Sequence, residues 1–202
     1  MNRYPLFLNL KGKKAAVFGA GRVALRKIKL LLQSGAQVEV SSRDYLKEVR
    51  SLAKRYPKLR LRPNGSISAL LKNAGLAFAA TSDSELNERI AHECHRKKIW
   101  VNVADSPALS DFFVPAYFKK GRLELAISTG GTSPLLAKKL REELAKKIRP
   151  EALRLLNRMN RFRGVVLGSF ASQKARRRFL EEKIGKDFHF LSARSGGNPD
   201  RS

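Results

Sequence analysis

The chain has 202 residues, of which 43% are hydrophobic, enough for one sizeable core plus a smaller appended unit and too apolar for extended disorder. No apolar run approaches the roughly 18 residues needed to span a membrane, the N-terminal "MNRYPLFLNLKGKK" lacks the apolar length and cleavage site of a signal peptide, and the single Cys94 excludes an internal disulfide. A cytoplasmic, soluble protein is expected, with a formal net charge of +25 as its compositional outlier.

In chain order, Ala15 to Phe18 reads as a short buried strand ending in glycine. Leu25, Ile28 and Leu32 then recur at helical spacing, and "SGAQ" breaks that helix before a second strand at Val38 to Ser41. "KLRLRP" reads as a third strand, "SALLKN" as a short helix, and "GLAFAATSD" as a fourth strand. A helix carrying Leu86, Ile90 and Ala91 leads to a fifth strand, "IWVNVADSP". This order predicts an α/β fold, a Rossmann-type parallel sheet with helices on both faces and ligands at the carboxyl ends of the strands.

After Phe112 the pattern changes. "FFVPAYF" and "RLELAIS", joined by "KKG", read as a β-hairpin, and "TGGTSP" opens a long helix with Leu135, Leu136, Leu140 and Leu144 along one face. Pro150 marks a break, and the rest to about Gly185 is helical and basic, punctuated by "RFRGVVLGSF". The expected division is 1–112, a nucleotide-binding domain; 113–149, a hairpin and helix; 150–190, a small helical domain; and 191–202, a disordered tail. From Lys138 to Arg178 there are fourteen Lys or Arg against three Glu. A field of that sign draws nucleic acid, anionic lipid or a polycarboxylate or phosphate metabolite, or is simply a basic solvated surface.

The chemistry concentrates in three loops. Gly19, Gly21 and Ala24 form G-x-G-x-x-A between a strand and a helix: a tight turn, close approach of a pyrophosphate, and close helix–strand packing. The acid expected about twenty residues on is displaced. Glu39 lies inside its strand, leaving Ser41, Ser42 and Asp44 for the ribose hydroxyls or Arg43 for a 2′-phosphate, so spacing alone does not separate NAD from NADP. Asp105, where the fifth strand ends, reads either as a general base or as a turn cap before Pro107. Ser128, Thr129, Gly130, Gly131 and Ser133 form an anion-binding turn, with Ser133 also placed to cap the helix that Pro134 begins. In "HECHRKK", His92, Cys94 and His95 lack metal-site spacing and are expected on an ordinary helix surface, so no protein metal site is assigned.

These segments together resemble the precorrin-2 dehydrogenase family, which includes the dehydrogenase/ferrochelatase module of siroheme synthase. The resemblance runs from "YPLFLNLKGKKAAVFGAGRVALRKIKLLLQSGA" through "AATSDSELN", "VNVADSPALSDFFVPA" and "LAISTGGTSPLLAKKLREEL" to a weaker "KARRRFLEE". It implies oxidation of precorrin-2 to sirohydrochlorin with NAD as hydride acceptor, in some members also ferrous-iron insertion, and a homodimer formed around the strands after the Rossmann domain. Arg22, Val23, Arg43 and Asp44 would contact NAD, Asp105 would be the catalytic base, and Ser128 would face the cleft. "VEVSSRD" departs from the more apolar strand end of many members. The sequence lacks the long methyltransferase extension of fused siroheme synthases, so a separate methylating protein is expected. Neither nucleic acid nor membrane is expected as a partner. The rival classes are an NAD-binding regulatory module with a basic partner-binding tail, distinguished by NAD affinity without oxidation, and a chelatase without dehydrogenase activity.

Overall fold

The computed structural model describes residues 4–169 and 172–185, in two compact units, Tyr4–Phe113 and the chain from Val114 onward. The expected tail at 191–202 and the last residues of the 150–190 segment lie outside the described residues.

The first unit is a five-stranded parallel sheet, order β3-β2-β1-β4-β5: β1 Lys14–Phe18, β2 Gln37–Ser41, β3 Leu59–Leu61, β4 Ala74–Ala79 and β5 Trp100–Val103. Between them run α1 Arg22–Gln33, α2 Lys47–Arg55, α3 Ile67–Leu71 and α4 Ser84–Arg96. β1 shows why the sheet is covered on both faces. Ala15 and Val17 enter one core with Leu25, Ile28 and Leu31 of α1, while Ala16 and Phe18 enter the other with Ile90, Ala91 and Cys94 of α4. These four of the five β1 residues are buried, the pattern of a central parallel strand. The helix α2 was not read from the sequence; with Val49 as its single buried residue, it lacks the apolar repeat that marks α1.

Glu39, inside β2, is taken up by the sheet rather than by a ligand. It pairs with Lys14 at 2.9 Å and Arg62 at 3.2 Å, joining β1, β2 and the end of β3. Burial pushes its carboxyl up, but the hydrogen bonds from Lys14 and Arg62 outweigh this and hold it below the usual range.

The strand order reverses between β1 and β4, so their carboxyl ends diverge into separate connections at one point of the sheet edge. Gly19 lies there with φ +98°, and a Cβ added to it would stand 2.3 Å from the Ala80 carbonyl oxygen. Its N–H donates to Ser41 O at 2.8 Å, while Ala80 N–H donates to Phe18 O at 2.8 Å and Ala104 N–H to Ala79 O at 2.8 Å. These bonds stitch four strand ends into one rim.

In the second unit β6 Ala116–Lys120 and β7 Leu123–Ile127 form an antiparallel hairpin, on which α5 Pro134–Lys147 packs. α6 Pro150–Ser169 and α7 Gln173–Gly185 follow. The strand begins four residues after Phe112, and "RFRGVVLGSF" does not interrupt α6 before Ser169; Gly164 and Gly168 are tolerated inside a long helix. Among the described residues no helix is long and apolar enough to cross a membrane.

Gly19→Ala is expected to lower stability by about 2–5 kcal/mol. Left-handed strain of about 1–2 kcal/mol adds to overpacking of about 1–3 kcal/mol against backbone. Urea unfolding of both proteins reads the difference directly.

Candidate active site

The turn after β1 provides a cradle for an anion. Gly21 is the N-cap of α1 with extended backbone, without a side-chain cap, and the first turn holds no acid, so no side chain occupies the front of the helix. A Cβ added at Gly21 would meet nothing within 4 Å, in contrast to Gly19. The two glycines therefore differ: Gly19 lets backbone approach backbone, and Gly21 leaves open space before uncapped N–H groups. Arg22 is exposed and Val23 half-buried in the first turn, while Ala24 is fully buried where the helix meets the sheet. A pyrophosphate fits this donor set, with N–H groups and the helix dipole facing it.

The β2 end lies against this turn. Tyr45 folds back so that its hydroxyl donates to Val40 O at 3.1 Å and accepts from Ser42 N–H at 3.2 Å. Leu46 N–H donates to Ala20 O at 3.3 Å, tying the β2 loop to the glycine turn. Arg43 and Asp44 are left exposed at the tip, and Ser41 is withdrawn, its hydroxyl spent on Gly65 O at 3.1 Å. Of the residues available for a ribose, Ser42, Arg43 and Asp44 remain. Tyr45, which shapes the loop, was not singled out from the sequence; its buried place in "SSRDYL" is a tertiary effect.

Asp105 stands two residues past β5, at the carboxyl edge of the same sheet. Its backbone is left-handed, φ +60°, a conformation unusual outside glycine that Asp and Asn tolerate best. Several surrounding polar groups are committed to the backbone. Ser110 Oγ accepts from Val103 N–H at 2.9 Å and donates to Ser106 O at 2.9 Å. Asp111 accepts from Val101 N–H at 2.8 Å, and Asn102 Nδ2 donates to Phe112 O at 3.0 Å. The 3-10 turn at Pro107–Leu109 has Ser106 as N-cap without a side-chain bond. Among the described residues the exposed Asp105 carboxylate makes no hydrogen bond, so it caps nothing. Strain at a residue whose side chain does no structural work is the pattern of a functional position. Asn102 was also missed in the sequence; a polar residue between Val101 and Val103 on a buried strand was the available signal. It is 7% exposed and its Oδ1 has no hydrogen-bond partner.

The glycine loop of the second unit is built differently. Ser133 caps α5 by accepting from Leu136 N–H at 3.2 Å, and Pro134 occupies the first turn. Thr129 Oγ1 accepts from Ser133 N–H at 3.1 Å and donates to Ser133 O at 3.0 Å. Gly130 and Gly131 are both left-handed, φ +68° and +92°, and Gly130 N–H donates to Ser128 Oγ at 3.2 Å. Thr129 and Ser133 thus hold the loop's shape. Ser128 is exposed with its hydroxyl proton uncommitted. The structure places Gly19, Gly21, Arg22, Val23, Ala24, Arg43, Asp44 and Asp105 along the rim of the first unit and Ser128, Thr129, Gly130, Gly131 and Ser133 in the second.

Two further motifs have local roles. In "AATSDSELN", Asp83 caps α4 by accepting from Leu86 N–H at 2.9 Å, and Thr81 Oγ1 bonds the buried Asn87 Oδ1 at 2.8 Å, fastening the loop after β4. In "HECHRKK", His92 lies 3.6 Å from Glu88 and His95 3.4 Å from Asp111, both exposed, while burial pushes the Cys94 thiol up to about 12. Among the described residues no three His, Cys, Asp or Glu gather as metal ligands would.

The comparisons with known proteins agree with this architecture. A family described as "Putative NAD(P)-binding" matches residues 6–116, and one described as "Sirohaem biosynthesis protein central" matches residues 120–147. The siroheme synthase of Nitrosomonas europaea is 35% identical over 93% of this chain and 40% of its own length. That of Chromobacterium violaceum is 36% identical over 90% of this chain and 38% of its own length. The chain therefore spans about two fifths of the curated relatives it matches. A solved structure, SirC, precorrin-2 dehydrogenase, superposes with a TM-score of 0.73 at 31% identity, covering 94% of this chain and 93% of that one. With a nicotinamide-dinucleotide fold, a sirohaem central segment and a relative matched along nearly its whole length, this chain belongs to the precorrin-2 dehydrogenase family of siroheme biosynthesis.

Proposed function

We propose that this protein oxidises precorrin-2 to sirohydrochlorin with NAD as acceptor, with Asp105 as the general base. The observation that carries this is the Asp105 carboxylate, held by a strained turn at the ligand edge of a dinucleotide-binding sheet and, among the described residues, hydrogen-bonded to no other group. When bound, NAD supplies the nicotinamide that accepts the hydride, so two electrons and one proton leave the substrate with it. The chain's own residues take the rest. The uncapped α1 N-terminus with Gly21, Arg22 and Val23 holds the pyrophosphate, Ala24 keeps the helix against the sheet, and Asp44 beside Arg43 binds the adenosine ribose. Asp105 takes the second proton and returns it to water. The substrate's acetate and propionate groups are bound by the Ser128 hydroxyl and the N–H group of Gly131, with Thr129 and Ser133 shaping that loop. The surplus of basic residues draws in this polycarboxylate.

The exposed face of α5 supports a homodimer. The helix buries Ala137 but leaves Leu135 64%, Leu136 49%, Leu140 42% and Leu144 42% exposed, an apolar stripe that the unit's own hairpin does not cover. A second copy would cover it, and the single buried thiol suits a reducing cytoplasm.

Asp105→Asn is expected to keep the left-handed turn and the melting temperature while single-turnover formation of sirohydrochlorin falls about 10²–10⁴-fold. Near-normal turnover removes Asp105 from the mechanism. Gly21→Ala is expected to fold normally and to lose NAD affinity about tenfold to hundredfold, as a methyl group overfills the pyrophosphate site. Equilibrium titration with NAD and with NADP reads both this and cofactor choice: NAD binds more tightly, whereas an NADP preference reassigns Arg43 to a 2′-phosphate. Light scattering at micromolar concentration is expected to give a dimer, and Leu140→Glu with Leu144→Glu a monomer. A wild-type monomer refutes the interface.

A further inference from the structure

The outer edge of β5, the last strand of the sheet, is closed by the chain that follows Asp105 rather than by another strand. Val101 and Val103 turn their N–H and carbonyl groups to this edge, away from β4. Asp111 meets the first of them twice: its carboxylate accepts from Val101 N–H at 2.8 Å, and its own N–H donates to Val101 O at 2.8 Å. Ser110 meets the second, its Oγ accepting from Val103 N–H at 2.9 Å. Asn102 Nδ2 then holds Phe112 O at 3.0 Å, and Phe112 sets its ring edge-on to Phe78. Residues 110–112 thus stand where a further strand would pair.

The Ser110 contact does more than close the edge. Asp105 is the third residue of a turn, Val103 to Ser106, whose own bond, from Ser106 N–H to Val103 O, is 3.4 Å long. A left-handed φ of +60° in an aspartate needs support that so long a bond does not give. The Ser110 hydroxyl supplies it. It accepts from Val103 N–H on one side of Asp105 and donates to Ser106 O at 2.9 Å on the other. Val103 O, at 3.3 Å, is a second acceptor within its reach. Ser110 is itself held: it is half-buried, its N–H donates to Pro107 O at 3.3 Å, and its neighbour Asp111 is fastened to Val101. Water at an open edge would satisfy Val103 N–H alone. A side chain that reaches both 103 and 106 braces the turn between them.

We propose that Ser110 is a positioning residue for proton abstraction: its hydroxyl clamps the turn between Val103 and Ser106 and so fixes the direction in which the Asp105 carboxylate leaves the sheet edge. The inference rests on Asp105 being the base. Ser110 acts through the backbone and needs no contact with cofactor or substrate. Without the clamp the turn relaxes toward the negative φ that a residue other than glycine prefers, and the carboxylate swings with it. A displacement of about 1 Å at a reacting group is enough to cost about a hundredfold in rate.

Two measurements on the full-length protein test it. In spectra of isotope-labelled protein, Asp105 is expected to show the Cα and Cβ shifts of a left-handed residue. Ser110→Ala is expected to abolish them and to speed amide exchange at Val103. Unchanged Asp105 shifts in Ser110→Ala overturn the clamp without reference to catalysis. In kinetics, Ser110→Ala is expected to lower the melting temperature and, assayed well below it, to lower kcat about tenfold to hundredfold, with KM and NAD affinity within about twofold. Ser110→Thr keeps the hydroxyl and restores most of the rate. Added to Asp105→Asn, Ser110→Ala is expected to change the remaining rate by less than about twofold, whereas a merely structural serine lowers both backgrounds alike. If Ser110→Ala does not fold, Ser110→Cys, similar in shape but a weaker donor and acceptor, carries the same comparisons. Unchanged kcat in the Ser110 variant, or equal losses in both backgrounds, overturns the Ser110 role alone. Near-normal turnover in Asp105→Asn overturns the base and this role together.

Discussion

Where β1 and β4 part company, the backbone of Ala80 occupies the place a side chain at Gly19 would take. No side chain fits between them, and the bonds from Gly19 to Ser41 and from Ala80 to Phe18 depend on that proximity. The glycine turn, the β2 loop and, through Ala104 to Ala79, the turn bearing Asp105 are all fixed relative to it. A dinucleotide that lies across such a rim has its two ends set by the same few bonds, which is how a switch point in an open sheet becomes a binding site.

On that rim and, separately, in the glycine loop of the second unit, the polar side chains divide by whether the fold has already used them. Asp83, Asp111, Ser110, Thr129 and Ser133 are committed to backbone groups, and Glu39 to two cations. Asp105, Asp44, Arg43 and the Ser128 hydroxyl proton are not. The uncommitted set is small and confined to loops, as expected where rigid strands carry a site that loops complete. Removing a committed group should show first in stability, whereas the uncommitted ones are free to act on a ligand.

The order of strands was legible because each is a short apolar run bounded by glycine or polar residues, and because α1 and α4 repeat their apolar positions at helical spacing. α2 was not legible: one buried valine among charged residues gives no period, and its place is set by packing on the sheet. The G-x-G-x-x-A spacing located the turn but did not distinguish its glycines. That needed the carbonyl of Ala80, sixty residues away in sequence, so only tertiary geometry assigns steric necessity to Gly19 and openness to Gly21. Likewise "NVADSP" left Asp105 open between cap and base, and the caps actually made by Ser110 and Asp111 weaken the first reading. Lys27 was invisible for the opposite reason, since a lysine in "ALRKIK" looks like any solvated helix face until the ring beneath it is seen.

The contrast between Lys27 and the rest of the chain's positive charge clarifies what each can do. The chain carries a formal net charge of +25, and among the described residues most Lys and Arg side chains are exposed. At physiological salt such charges are screened over about 8 Å, so they raise the local concentration of anions without selecting among the atoms of a bound one. A half-buried ammonium on an aromatic face, as Lys27 is on Phe78, is screened far less. Attraction of a polyanionic substrate and tuning of a single proton transfer are thus separable. The first belongs to a diffuse surface that tolerates substitution, and the second to the few uncommitted groups that rigid strands hold at the sheet edge.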